Sequence, residues 1–358
     1  MGLFFKSKNK TGAMPRPVQE DLGVSGNAYG IDLGTSNIKI FNSQTGKIKV
    51  AKNMIAIQNR KLLFAYGDAA YEMYEKAPAS IKVSRPINYG VIADINNMEQ
   101  LLQSFLRDEQ RGVLRPADFF IAVPTDVTEV ERRAFYDLVR DAGVKARRVM
   151  GVEKAIADGL GLGIDVKNSQ GCMIVDIGFD TTEISILSLG GIVLSKLLKT
   201  GGHVFDQAIV TAVRREYNLV IGMKTAEAVR LSSHSQGGRG TTVVYGRDIV
   251  TGLPVERILS SEFVEKSLEE HFSGIADQVH VILERTPPEL SADIYRHGLF
   301  ITGGACQEEG LAQKLQEECR LDVNMADAPV NTVAIGLSQV IRKKQYRNLA
   351  YTIEGLAE

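Results

Sequence analysis

"DIGFDTTEISIL", residues 176–187, has the layout of a phosphate-gripping turn between two strands, but with bulky residues at its centre. Asp176 and Gly178 close an apolar strand, Thr181 and Thr182 open an alternating one through Ile184 and Ile186, and Gly190-Gly191 turns into a third. The same layout occurs earlier in "YGIDLGTSNIKIFNS", where Asp32-Leu33-Gly34 ends an apolar strand and Ile38 and Ile40 alternate beyond a polar turn. Two strand-turn-strand units headed by Asp-x-Gly imply two similar halves facing each other across a cleft. Carboxylates ending the two strands, Asp32 and Asp176, suit the waters of a Mg2+ ion, while the turns offer backbone N–H groups to phosphate. A single turn of this kind is usually a plain hairpin; a pair in equivalent contexts weakens that reading.

Working outward, the remaining segments predict an α/β protein: two similar lobes, each a mixed β-sheet flanked by helices plus a smaller subdomain. "FFIAVP" (119–124) and "LFIT" (299–302) read as buried central strands. Thr128 and Glu131 form a capping box ahead of Val130, Ala134 and Leu138, with Gly143 placed to end that helix. A longer apolar stripe runs through Val264, Leu268, Phe272, Ile275, Val279 and Ile282, and Pro287-Pro288 stops it. A third glycine cluster, "ITGGACQEEGLAQKL", follows a strand and opens a helix, so Gly303 and Gly304 would let backbone approach a nucleotide. "GLGLGI" (159–164) mimics a dinucleotide fingerprint, but it lies within or after a helical stretch instead of between strand and helix.

Composition narrows the function classes. The 358 residues are 44% hydrophobic and 24% charged, with 42 basic against 43 acidic side chains, so no one-signed field exists to attract nucleic acid. Three scattered cysteines (Cys172, Cys306, Cys319) fit neither a disulfide framework nor a zinc site and point to a reducing, cytosolic setting. The five histidines lack metal-ligand spacing. No apolar run approaches the roughly 18 residues of a spanning helix. The first ten residues, "MGLFFKSKNK", instead place Leu3, Phe4 and Phe5 beside Lys6, Lys8 and Lys10, a pattern open to two readings: a frayed tail or a peripheral membrane anchor.

"IDLGTSNIKIF", "RPINYGVIADI", "VPTDVTEVERRA", "DIGFDTTEISILSLGGIV", "TGLP", "LERTPPELSADIYRHGLFITGGA" and "NTVAIGLSQVI" together resemble the bacterial actin family, specifically its MreB-like cell-shape-determining members, from about Tyr29 to about Ile341. The Asp-x-Gly pair alone would also fit sugar kinases and heat-shock chaperones of the same fold. The resemblance implies that Asp32, Gly34, Thr35, Ser36 and Asn37 form the first phosphate loop and Asp176, Gly178, Phe179, Asp180, Thr181 and Thr182 the second. It implies that Glu227 and Arg230 contact the adenosine and that Gly303, Gly304, Ala305 and Cys306 close the nucleotide site. Glu153 matches the carboxylate that orients the attacking water. ATP and Mg2+ are the implied cofactors, with Asp32 and Asp176 holding the metal through water.

Three departures from the family pattern bear on activity. Phe179 and Asp180 replace glycines; a left-handed backbone there would cost about 1–2 kcal/mol. A carboxylate about 4 Å from a phosphate oxygen would repel it by about 4 kcal/mol at an effective dielectric near 20, unless it pointed away. Lys154 replaces a proline and either balances Asp180 or faces solvent, and His203 stands where an aspartate is usual.

The expected layout is an N-terminal membrane-targeting tail and linker (1–26), domain I (27–152, completed by 332–350) and domain II (153–331) with a small subdomain at about 208–258. The resemblance implies paired self-assembled filaments on the inner membrane face, organising cell-wall synthesis with membrane proteins of the elongation machinery. Val113 and Leu114 match an apolar membrane-inserting loop. Altered or slow ATP hydrolysis is expected, and a non-hydrolysing scaffold or an actin-fold small-molecule kinase are the alternatives.

Overall fold

The computed structural model describes residues 23–24, 26–110, 114–235 and 240–352. The N-terminal Leu3, Phe4 and Phe5, and Val113, lie outside them. Two sheets organise the molecule. In lobe I, β1 (Ala28–Leu33), β2 (Asn37–Asn42), β3 (Ile48–Lys52), β4 (Ala117–Val123) and β5 (Ala146–Glu153) lie in the order β5-β4-β1-β2-β3. In lobe II, β6 (Cys172–Ile177), β7 (Thr182–Ser188), β8 (Gly191–Leu198), β9 (Leu299–Thr302) and β10 (Val323–Met325) lie in the order β8-β7-β6-β9-β10. The late strand β11 (Ala350–Tyr351) returns to pair with β5 in lobe I.

The lobes repeat the same unit in register. β1 pairs antiparallel with β2 and parallel with β4, and β6 pairs antiparallel with β7 and parallel with β9. Central strands covered on both faces need apolar residues at every position. Accordingly β1, β4 and β6 are buried along their whole length. Across the first hairpin Asp32 faces Lys39; across the second Asp176 faces Glu183. That one difference in charge shapes the site.

The helical readings hold. Thr128 caps the helix Glu129–Asp141 with both halves of the capping box, and Gly143 adopts a left-handed φ of 66° just beyond its end. The helix Ser261–Leu283 buries all six residues of the expected stripe, and Pro288 starts the next helix at its first position. Each lobe carries a smaller three-stranded sheet: strands Ile55–Gln58, Leu62–Tyr66 and Ile81–Ser84 in lobe I, and Leu219–Val220, Thr241–Asp248 and Pro254–Ser260 in lobe II.

Two helices join the lobes: α1 (Lys154–Gly161), which continues directly from β5, and α4 (Thr332–Arg342). They touch backbone to backbone: a Cβ on Gly336 would stand 1.8 Å from the Ala157 carbonyl oxygen, and one on Gly161 would stand 2.0 Å from that of Thr332. Gly159 and Gly161 of "GLGLGI" therefore serve packing, since a Cβ on Gly159 would stand 2.5 Å from Val166 Cγ1. An apolar cluster including Phe41, Phe120, Val152, Ile156, Leu187 and Leu337 surrounds this crossing and ties the two sheets together.

Candidate functional site

A cavity of about 310 Å³ opens between the two Asp-x-Gly turns. Asp32, Gly34, Thr35, Ser36 and Asn37 line one wall; Asp176, Gly178, Phe179 and Thr181 line the other; Glu227, Arg230, Gly303, Gly304 and Ala305 close the end. Asn53, fully buried, fixes the first turn by donating its backbone N–H to Ser36 O at 2.9 Å and its side-chain amide to Gly34 O at 2.9 Å. Gly303 has a φ of 86°, and a Cβ there would stand 2.2 Å from Asp176 Oδ1, so only glycine fits beside the second carboxylate.

Helices α2 (Gly202–Tyr217) and α3 (Met223–Ser235) carry the far end. Arg230 is buried with Asp206 (Nε to Oδ1, 2.7 Å) and Glu308 as ion-pair partners. Burial, opposed by Arg230, pushes the Asp206 carboxyl up to about 6. Glu227 accepts from the Tyr71 hydroxyl at 2.5 Å and lies 3.7 Å from Lys52, both in lobe I. Glu75 of lobe I also reaches across, accepting from the N–H groups of Met223 (3.2 Å) and Lys224 (3.4 Å) and so satisfying orphan donors at the start of α3.

Phe179 and Asp180 belong to the same inter-lobe seam. Neither has a positive φ, so neither carries the left-handed strain anticipated for a replaced glycine. Asp180 is buried and does not line the cavity. Its carboxylate accepts from the Tyr89 backbone N–H of lobe I at 3.0 Å and lies 2.9 Å from His203 Nδ1. Phe179 stacks on His203 with ring centroids 5.3 Å apart, and the Arg85 guanidinium of lobe I sits 4.6 Å from its ring centre. The acid points away from the phosphate region, and His203, standing in for an acid, becomes its partner.

Lys154 pairs with Asp176, not with Asp180 and not with solvent. Burial alone would push its ammonium down, but Asp176, Glu183, Asp158 and Asp32 around it hold it above its usual range. Lys39 pairs with Asp32 at 2.9 Å. Asp158, one turn along α1 from Lys154, is driven well above the usual carboxylate range by burial and by Asp176. Glu183 is raised by burial too, and accepts from the Thr125 hydroxyl at 2.7 Å.

Four expected site residues face elsewhere. Glu153 does not line the cavity: its carboxylate is held by Arg132 at 2.6 Å and by Tyr351, because β5 ends there and turns the side chain toward β11. Burial raises Glu153 above its usual range against the pull of Arg132. Thr182 is fully buried and donates to Thr200 O at 2.8 Å, since alternation turns Thr181 toward the cavity and Thr182 away from it. Cys306 is buried in the lobe II core, its thiol pushed up to about 12 by burial. Asp180 is the fourth. On the surface, Leu114 is half-buried against the lobe I core, which limits what it can offer a bilayer.

The sequence reading missed Lys39, Asp158 and Glu183 in the cleft and Tyr71, Glu75, Arg85 and Tyr89 on the seam. Lys39 was legible: it stands directly opposite Asp32 in the hairpin that was identified.

Mg2+ does not fit this donor set well. Each carboxylate meant to hold its waters is already engaged by a lysine.

The MreB/Mbl protein family matches residues 26–348. The cell shape-determining protein Mbl of Bacillus subtilis (strain 168) is 36% identical over 312 residues, 86% of this chain and 93% of that protein. The cell shape-determining protein MreB of Escherichia coli (strain K12) is 36% identical over 324 residues, 88% and 93%. Among solved structures, MreB5 of Spiroplasma citri bound to AMPPNP superposes with a TM-score of 0.84 at 35% identity, covering 91% of this chain and 98% of that one. The MamK double helical filament, at a TM-score of 0.72 and 22% identity over 88% of this chain and 99% of that one, shares the fold. A two-lobed actin-like architecture, a cleft between paired Asp-x-Gly turns and relatives matched over most of their length carry one conclusion: the chain belongs to the MreB/Mbl family of cell-shape-determining proteins.

Proposed function

We propose that the protein is a cell-shape cytoskeletal subunit that binds ATP in the cleft, assembles head to tail into paired filaments, and hydrolyses the nucleotide slowly. The observation that carries this reading is the cleft itself, with backbone-rich turns on both walls and seam contacts from Glu227, Asp180 and Glu75 drawing the lobes over it. A ligand touching both walls favours the closed arrangement, so nucleotide state biases the subunit's shape and hence its contacts with the next copy. A heterologous contact repeated without ring closure gives a filament.

The side chains support the slow-hydrolysis part of the reading. Orienting a water against the γ-phosphate needs an available carboxylate. Glu153 is committed to Arg132 and Tyr351, the next residue, presented to the cleft, is the cation Lys154, and burial raises the cleft acids Asp158 and Glu183 above the usual carboxylate range. The same observation favours a second reading, a scaffold that binds ATP without splitting it. Membrane attachment on the inner face rests on Leu3, Phe4 and Phe5 with their flanking lysines, weak singly but multiplied along a filament. Membrane proteins of the elongation machinery are the partners that this placement would serve.

The test is sedimentation and phosphate release measured on the same samples over a series of protein concentrations with ATP. The expected result is pelleting above a threshold concentration with phosphate release well below one turnover per subunit during assembly. Absence of pelleting at every concentration overturns the filament reading. Rapid release that rises with polymer mass overturns the slow-hydrolysis reading, and complete absence of release selects the non-hydrolysing scaffold.

A further inference from the structure

We propose that Lys154 serves as a tethered substitute for the divalent cation, so that this cleft takes up a nucleoside triphosphate with little dependence on Mg2+. The proposal rests on the nucleotide-binding reading above and concerns how that same site balances charge.

The two hairpins differ in charge at one register position. In lobe I the residue across from Asp32 is Lys39, and the pair closes at 2.9 Å. In lobe II the residue across from Asp176 is Glu183, which adds an acid instead of a cation. The missing charge comes from the hinge: Lys154, the first residue of α1, reaches Asp176. A cation at a helix N-terminus opposes the macrodipole, so this position is unfavourable unless a stronger local field holds the ammonium there. Asp176, Glu183, Asp158 and Asp32 supply that field.

Each strand-end carboxylate is then paired with a cation without a metal. A divalent ion between two strand-end carboxylates would contribute two positive charges; Lys39 and Lys154 contribute the same two, fixed to the protein. The side chains of Lys154 and Asp176 are only 17% and 6% exposed, and those of Lys39 and Asp32 14% and 5%, so both pairs are poorly screened. An ammonium has three donors, and Asp176 accepts one from Lys154, which leaves two for phosphate oxygens in the cavity that Lys154 lines. A hydrated Mg2+ reaching Asp176 would first have to break this buried pair.

The test is the dissociation constant of AMPPNP for the full chain, by calorimetry, in buffer with excess Mg2+ and in buffer with EDTA. The expected ratio between the two media is within about threefold. In Lys154→Ala, which frees Asp176, affinity in EDTA is expected to fall at least tenfold and Mg2+ to restore most of it; Lys154→Arg is expected to keep the small ratio. A wild-type ratio above tenfold overturns the proposal while leaving nucleotide binding standing. Lack of binding in both media overturns the nucleotide reading itself and the proposal with it. If Lys154→Ala does not fold, the wild-type ratio and that of Lys154→Arg decide.

Discussion

Replacing Asp180 with alanine tests whether the bulky second turn has become a latch between lobes. The carboxylate is 3% exposed and spends one oxygen on the Tyr89 N–H of lobe I and the other on His203. A hydrogen bond to a charged group contributes about 1.5–3 kcal/mol, and its removal strands the Tyr89 N–H. The His203 contact lies within lobe II, so its loss affects the open and closed forms alike and drops out of the closure equilibrium. The Tyr89 bond crosses from lobe I to lobe II, so it is the contact of Asp180 that separation of the lobes would break. Its loss alone therefore shifts closure by roughly ten- to one-hundred-fold, at about 1.4 kcal/mol per decade. If nucleotide leaves through the open form, release should accelerate at least about tenfold. Stopped-flow chase of a fluorescent ATP analogue from preloaded protein reads this directly, with Asp180→Asn, which keeps an acceptor for Tyr89, falling between wild type and alanine. Release changed by less than twofold in Asp180→Ala, with melting preserved, would refute the latch.

Three other expectations follow from the same geometry. Gly336→Ala drives a methyl into the Ala157 carbonyl, which cannot swing aside, so a cost near the top of the about 1–3 kcal/mol range for overpacking and a fall in melting temperature on the order of 5 °C are expected; an unchanged melt would show that the hinge helices part freely. Glu153→Ala removes the carboxylate partner of the largely buried Arg132, so thermal stability should drop by about 2–3 kcal/mol while phosphate release stays at the wild-type level. Loss of release in that variant with an unchanged melt would return Glu153 to the water-orienting role. For Asp206 the folded carboxyl sits near 6 against 3.8 unfolded, so the native state binds the proton more tightly. Its contribution is fully present below about pH 3.8 and is lost as pH rises through about 6, and Asp206→Asn should flatten that part of the pH dependence of the urea midpoint. An identical slope in the variant would assign the pH dependence to other buried acids such as Glu183 and Asp158.

The fold was legible because its signals are local and repeated. Asp32 and Asp176 stand at the ends of strands whose burial and alternation can be read from a dozen residues, and the repeat shows that they face each other. The glycine cluster at 303–304 was legible for the same reason, since a strand, a glycine pair and a helix follow in order. Which side chains line the cavity depended on a single step of register. Glu153 and Lys154 are neighbours at the junction of β5 and α1, and which one enters the cleft is set by where the extended chain gives way to the helix. Thr181 and Thr182 differ in the same way, one facing the cavity and the next the Thr200 carbonyl. The seam residues Tyr71, Glu75, Arg85 and Tyr89 carry no local pattern of their own; only the closure of the lobes brings them to Glu227, α3, Phe179 and Asp180.

The departures in the second turn are best understood together. Read singly, Phe179 and Asp180 are losses of phosphate-binding glycine, His203 is a lost acid, and Lys154 is a misplaced charge. In the folded chain Asp180 finds both a lobe I N–H and His203, Phe179 stacks between His203 and Arg85, and Lys154 takes up the carboxylate of Asp176. Each new side chain is satisfied by another or by the opposite lobe. On the proposed nucleotide-binding reading, interactions that a bare glycine turn would direct at phosphate are directed partly at the opposite lobe and partly at Lys154. On that reading the chain is expected to hold its nucleotide longer and to turn it over more slowly.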